Sequence, residues 1–288
     1  MIFTPTDYSI VFLSYEEPNC DENYQKVLKL YPNTKRVHGV KGSDTAHKAC
    51  AKLSDTERIV IIDGDNIVKP EFFTTSFNIK DDIDFDNRVL SYSAYNPLNG
   101  NSYGNGGIKC WPVKLIENMR THENNDGKHV IDFDYKSYLE LNFQGSILSI
   151  TSTPYQAFRA GFREGMKLYL SDGWDNMDYR NYDRLWRWCH LGIDIENGIY
   201  SIMGARNALM YLTKTTMVED LFDLEQLFND LLAVASNDLL WSCNKMGQVL
   251  NARLNTDKFS DVYDKDNSML YKQQNIHVVR SDESFLIG

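Results

Sequence analysis

Four β-branched apolar residues in a row, Ile59, Val60, Ile61 and Ile62, run straight into Asp63-Gly64-Asp65-Asn66. An apolar run with no polar alternation reads as a strand covered on both faces, as in a parallel sheet. Open α/β sheets bind their ligands outside the carboxyl ends of such strands, and this one ends in two carboxylates two residues apart. Asp63 and Asp65 repel each other unless a cation lies between them. A divalent metal with oxygen ligands does this best, keeping water or phosphate oxygens in its other positions. Gly64 permits close backbone approach, and Asn66 either ligates or braces. The alternative is an acidic turn, because Asp, Gly and Asn are ordinary turn formers. The buried run in front of the motif favours the metal.

The flanking sequence reads as an α/β fold. Residues 8–14 (YSIVFLS) form a first strand, ended by the polar loop 15–19. Asp21 caps a helix reaching Tyr31, with Tyr24, Val27, Leu28 and Tyr31 at helical spacing. Residues 36–40 form a second strand and 46–53 a second helix, and the apolar run follows as the third strand. This β-α-β-α-β order opens a doubly wound sheet with a nucleotide-sized crevice at its strand ends. Further on, 72–87 reads as a surface loop and 89–95 as a strand in an edge or mixed position. The stretch 103–107 opens a strand over 108–111, and 155–167 and 174–192 read as helices. Residues 217–254 hold one or two amphipathic helices, the tail from Thr256 is polar, and 275–280 form a last strand or strap.

The net charge is -10, which argues against a general nucleic-acid binder and leaves only a local basic patch for that role. Five scattered cysteines without a C-x-x-C read as reduced, buried thiols, not as a zinc site or a disulfide framework. The N-terminus lacks the basic and apolar regions of a signal peptide, and no apolar stretch is long enough to span a membrane. A cytoplasmic protein is expected.

Taken in order, these segments resemble a GT-A glycosyltransferase over roughly residues 8–115. The resemblance implies a GT-A, Rossmann-like mixed sheet with flanking helices and a helical C-terminal part. Residues 1–115 would be the nucleotide-sugar-binding half, and 116–288 the acceptor-side and helical half of the same domain. Ser14, Tyr15 and Glu16, where the first strand ends, would hold the nucleotide base. Gly42 and His47, in GSDTAH, are similar to a stretch near ribose and diphosphate. Asp65 would hold Mn²⁺ or Mg²⁺, with Asp63 nearer the ribose or a metal-bound water, and His277 would complete the metal site. Gly106, Gly107 and Trp111 would line the sugar or acceptor side, although the glycine pair also reads as a turn before a strand. The implied donor is a nucleotide-diphosphate sugar, with a UDP-sugar favoured. Bound metal would stabilise the charge that develops on the leaving diphosphate.

An inverting reaction needs a carboxylate near the acceptor hydroxyl. Asp172, Asp175 and Asp183 are the candidates; the alternative for each is an ordinary acidic helix start. Two basic stripes share helix faces, Arg159, Arg163 and Lys167 on one and Arg180, Arg184 and Arg187 on the other. They suit phosphates of the donor or of a polyanionic acceptor, or are solvated faces balanced by Glu164, Asp178 and Asp183. The D-G-D-N signature in a chain of this size also resembles tailed-bacteriophage enzymes that place a sugar on hydroxymethylcytosine in double-stranded DNA, or on a sugar already there. A polysaccharide or protein acceptor is the alternative, and a lipid acceptor is disfavoured for want of a membrane-binding stretch.

Other classes share pieces. Haloacid-dehalogenase phosphatases carry a D-x-D-x-T/V strand end, but here Ile67 takes the Thr/Val position and the motif does not open the fold. Sugar nucleotidyltransferases need a G-x-G-T-R loop after the first strand, which Ser14-Tyr15-Glu16-Glu17-Pro18 lacks. A non-enzymatic carbohydrate- or DNA-binding module would have no need of the paired aspartates.

Overall fold

The apolar run forms strand β4 (Arg58–Asp63) of the computed structural model, and its side chains divide between two cores. Val60 and Ile62 enter one with Ile10, Phe12, Leu90, Tyr92 and Ile108. Ile59 and Ile61 enter the other with Val11, Val37, Cys50, Trp111 and Ile116. A strand with both faces covered has no use for polar alternation, which is why its sequence is continuously apolar. The structure describes residues 1–80, 83–119, 138–172, 176–212, 223–235, 238–275 and 277–278, with the backbone alone at 103–106, 171–172, 212 and 277–278.

By contacts the chain divides into two units. The first comprises 1–96, 102–149 and 277–288, and the second 97–101 and 150–276. The sheet-bearing unit therefore extends past residue 115, through strand β9 (Tyr138–Leu148). In it, β1 (Ile2–Phe3) pairs antiparallel with β6 (Phe77–Asn78). The main sheet also contains β2 (Ser9–Ser14), β3 (Lys35–His38), β5 (Asn66–Val68), β7 (Val89–Tyr95), β8 (Asn101–Pro112) and β10 (His277–Val278). Its order is β3-β2-β4-β8-β7-β9-β5, with β10 also paired to β8. Strands β3, β2 and β4 are parallel, β8 is antiparallel to both β4 and β7, and β7 runs parallel to β9. Helices α1 (Cys20–Leu30) and α2 (Ser43–Ala51) make the crossovers on either side of β2. The doubly wound opening and the mixed α/β sheet are thus as the sequence implies.

Strand β7 lies between β8, to which it is antiparallel, and β9, to which it is parallel, so of the two expected positions it takes the mixed one, and five of its seven residues (Val89, Leu90, Ser91, Tyr92 and Ala94) are buried. Two other local expectations are corrected. The stretch 103–107 belongs to β8 itself, which β7 pairs both where the stretch begins, at Ser102 and Tyr103, and after it, from Ile108 to Cys110. Residues 72–87 are not merely a surface loop. Phe72, Phe73, Phe77 and Ile79 are core residues, and the guanidinium of buried Arg58 donates to the carbonyls of Phe85 (2.7 Å) and Arg88 (2.6 Å). All five cysteines are free and buried.

The second unit is helical: α4 (Pro154–Asp172), α5 (Tyr179–His190), α6 (Gly198–Leu212), α7 (Leu224–Val234), α8 (Leu239–Leu254) and α9 (Lys265–Gln274), following α3 (Val113–Asn118) of the first unit. Helix α9 lies in the polar tail, where the sequence shows no apolar period. Asp264 caps it by accepting from Asn267 N (2.8 Å). Lys272 anchors it through Asp194 (2.6 Å) and the Pro97 carbonyl (2.9 Å). Among the described residues no helix is long and apolar enough to cross a membrane.

His190, on α5, is buried with its ring stacked on Trp186, centroids 4.6 Å apart, and its Nδ1–H donates to the Trp186 carbonyl (2.7 Å). Burial, with the Arg206 charge adding to it, pushes its pKa down from 6.5 to about 3. The folded state therefore holds His190 neutral, whereas the unfolded chain takes up a proton as pH falls through 6.5. Stability from this group is complete above pH 6.5 and declines by about 1.4 kcal/mol per pH unit on the way down to pH 3. Urea midpoints at pH 7 and pH 5 are expected to differ less in His190→Phe, which keeps a stacked ring, than in the wild type. An equal pH dependence in both proteins would contradict this assignment.

Candidate active site

The chain runs from β2 to β3 on one side and on to β4 on the other, so the strand order reverses at β2 and β4. The crevice outside the carboxyl ends of these two strands is the expected ligand position. The parallel register sets Leu13 beside Asp63, and Ser14 beside His38. The loop after β2 and the D-G-D-N turn after β4 therefore meet at one end of the sheet.

They meet in contact. A Cβ placed on Gly64 would lie 2.9 Å from both Ser14 Cβ and Glu17 Oε2, so only glycine admits the loop this closely. Glu17 folds the loop by accepting from the Tyr15 amide (2.8 Å). From α1, the Asn23 amide donates to the Gly64 carbonyl (3.0 Å), and the Ser149 amide donates to the Asp65 carbonyl (2.7 Å). The turn is thus held from the α1 side and from the end of β9.

Asn66 is a brace. Its Nδ2 donates to Asp65 Oδ1 (2.8 Å), and its Oδ1 accepts from Ser146 Oγ (2.6 Å). A carboxylate only accepts, so the amide orientation is dictated by chemistry. Asn66 and Ser146 are both buried, and β5 brings them together by pairing with β9. Room for this relay comes from β8: a Cβ on Gly107 would fall 2.0 Å from Asn66 Nδ2 and 2.9 Å from Asp63 Cβ. Continuing the register Ile61–Lys109 and Ile62–Ile108 sets Gly107 opposite Asp63. Burial with the Asp63 charge nearby pushes the Cys50 thiol up to about 12, so Cys50 is an inert packing residue under this end of the sheet.

The remaining candidates divide. Ser14 is buried at the end of β2, and Tyr15 and Glu16 are exposed just beyond it. Gly42 precedes α2 with φ +92°, and His47, on α2, donates Nδ1–H to the Ser43 carbonyl (2.9 Å) and turns its ring to Trp111 (5.7 Å). Trp111 does not line the site. It pairs with Ile59 at the opposite end of β4, is 4% exposed, and packs against His47 and Tyr138. Gly106 lies within β8. His277 lies in β10, whose pairing returns the chain to the strand that carries Gly107; its side chain is outside the described residues. Asp175 and the side chain of Asp172 are likewise outside them. Asp183 is held by the buried guanidinium of Arg187 (2.9 Å). On α4, Arg159 and Lys167 are exposed and Arg163 is half-buried. Glu17, Asn23, Ser146 and Ser149 were not singled out in the sequence. Ser146 and Ser149 lie 80 and 84 residues from the groups they hold, and the pairing of β9 with β5 brings them there.

Among the described residues no three His, Cys, Asp or Glu side chains gather into a metal cluster. What the turn offers is a pair of hard carboxylate donors, one oriented by Asn66. That suits Mg²⁺ or Mn²⁺ bound together with a nucleotide, where one or two carboxylates suffice and phosphate oxygens and water complete the shell.

No protein-family model and no curated protein matches the chain. Solved structures similar to it include a glycosyltransferase involved in glycosylation of the major capsid of PBCV-1. That match has a TM-score of 0.30 and 14% identity, and covers 50% of this chain and 95% of that one. Another is HddC from Yersinia pseudotuberculosis, with TM-score 0.25 and 16% identity, covering 46% and 68%. A third is the mannosyltransferase PcManGT from Pyrobaculum calidifontis in complex with GDP-Man and Mn²⁺, with TM-score 0.36 and 10% identity, covering 88% of each chain.

Proposed function

We propose that the protein is a metal-dependent glycosyltransferase that moves a sugar from a nucleotide-diphosphate donor to an acceptor hydroxyl. The observation that carries this reading is the Ser146–Asn66–Asp65 relay beneath the bare Cα of Gly107, at the crevice where the strand order reverses. An acidic turn exposed for solubility needs no such support. Asp65 and Asp63 are the residues that would hold the cation. Bound there, a divalent ion supplies Lewis-acid stabilisation to a leaving diphosphate. Asn66 fixes the direction in which Asp65 presents its carboxylate. Asn23 and Ser149 fix the backbone on either side of it, so the two carboxylates need little rearrangement when a donor arrives. Glu17 and Ser14, against Gly64, form the wall on the nucleoside side.

The proposed donor is a UDP-sugar. The proposed acceptor is a polyanion such as DNA containing hydroxymethylcytosine. The latter is supported by Arg159 and Lys167, exposed on one helix face with Arg163 between them. Incubation with a panel of UDP- and GDP-sugars and Mn²⁺, with and without hydroxymethylated DNA, tests both levels. Release of nucleoside diphosphate that EDTA abolishes is expected, together with a mass increase on the DNA. Release of inorganic phosphate from sugar phosphates would instead indicate a phosphatase, and no turnover of any donor would contradict the reading.

A further inference from the structure

Beside the crevice, the ends of β2 and β3 carry a polar cluster that the proposed chemistry leaves unexplained. His38 closes β3 and is exposed. Its Nδ1 lies 2.9 Å from Ser14 Oγ and 3.2 Å from an Arg36 guanidinium nitrogen. Arg36 is itself fixed: it pairs with Asp21 (2.7 Å), donates Nε–H to Ser14 Oγ (3.1 Å) and lies 4.9 Å over the Tyr24 ring. A guanidinium nitrogen has hydrogens to give and nothing to accept with. A proton on His38 Nδ1 would set N–H against N–H, so Nδ1 is the accepting nitrogen and Nε2 carries the hydrogen. Among the described residues Nε2–H has no hydrogen-bond acceptor. The protein therefore holds out a single N–H donor, with its tautomer set by two neighbours, buried Ser14 and half-buried Arg36.

Its place on the sheet says what it can meet. His38, Ser14 and Asp63 end three adjacent parallel strands, in that order. Two strand spacings, roughly 10 Å, separate the backbone at His38 from that at Asp63. That interval suits a ribose between a diphosphate at the carboxylates and a base at His38. Gly39, next to His38, has nothing within 4 Å of where its Cβ would be, so the space beyond is open.

We infer that His38 selects the donor by its base, donating Nε2–H to the ring carbonyl that uracil, guanine and hypoxanthine carry where cytosine and adenine carry an amino group. An amino group there would face a donor with a donor, as the base edges dictate. This rests on the glycosyltransferase reading and adds its substrate class: nucleotides of oxo bases.

Binding of free UDP, CDP, IDP and ADP, each with Mn²⁺, measured by calorimetry on the full chain, tests it. UDP differs from CDP, and IDP from ADP, at that one position and the ring nitrogen beside it. The wild type is expected to hold UDP and IDP about five- to tenfold more tightly than CDP and ADP. His38→Ala is expected to close the gap by weakening UDP and IDP alone. His38→Gln is expected to narrow it by strengthening CDP and ADP, because an amide can turn its oxygen to an amino group. Both variants change an exposed side chain, and their melting temperatures verify folding. Equal affinities in the wild type, or a gap that survives His38→Ala, would overturn the assignment while leaving a nucleotide-binding enzyme in place. Failure of all four nucleotides to bind would overturn both.

Discussion

Gly107→Ala is expected to reduce sugar transfer about 100-fold, although it adds one methyl group at a position with no catalytic atom. The methyl carbon would fall 2.0 Å from Asn66 Nδ2 and 2.9 Å from Asp63 Cβ, distances no pair of atoms tolerates. The chain can respond by moving Asn66, which releases Asp65, or by bending β8 away from β4. The first loses the orientation of the carboxylate. The second strains two central strands, and overpacking of this kind destabilises by about 1–3 kcal/mol. The double variant Asn66→Ala/Gly107→Ala separates the two effects. It removes the worst clash and is expected to recover part of the lost stability, while activity stays low because Asp65 has lost its brace. Recovery of activity in the double variant would show that Asn66 does not act through Asp65.

Asp65→Asn is expected to reduce transfer further, by about 1000-fold, with little change in fold. The amide keeps the shape of the side chain and an oxygen that can accept from Asn66 Nδ2. What it removes is the charge. If the pair were structural, the substitution would destabilise the protein. If the pair serves to hold a cation, metal-free Asp65→Asn is expected to be as stable as the wild type, because the amide keeps an oxygen for Asn66 Nδ2. Donor turnover together with urea midpoints in EDTA distinguishes these outcomes.

Much of this was legible in the sequence because it is local. The unbroken apolar character of residues 59–62 follows from burial on both faces of β4, and Asp63-Gly64-Asp65-Asn66 follows from the end of that strand. The alternation of strands and helices up to β4 is equally local. The rest depends on register. Trp111 lies four residues from Gly107 in sequence and looks like its companion, but β8 is antiparallel to β4, so those four residues carry it to the far end of the strand. Gly106 and Gly107 read equally well as a turn until β4 and β7 are seen on either side of β8. Ser146 had no sequence signal, since nothing near it indicates that β9 would pair with β5. Asn66, by contrast, suits either ligand or brace by sequence, and the Ser146 hydroxyl on its oxygen decides for brace.

His38 shows the same limit. The sequence gives a histidine at a strand end and nothing more. Its tautomer follows only once Arg36, two residues earlier on the same strand, is seen pinned by Asp21 and reaching the ring.

The proposed chemistry depends most on a cation held jointly by the carboxylates after β4 and by a nucleotide. Electron paramagnetic resonance titration of Mn²⁺ into the protein, with and without UDP, tests this most directly. UDP is expected to tighten Mn²⁺ binding by about tenfold, and Asp65→Asn to remove that gain. Mn²⁺ affinity that is indifferent to both UDP and Asp65→Asn would contradict it.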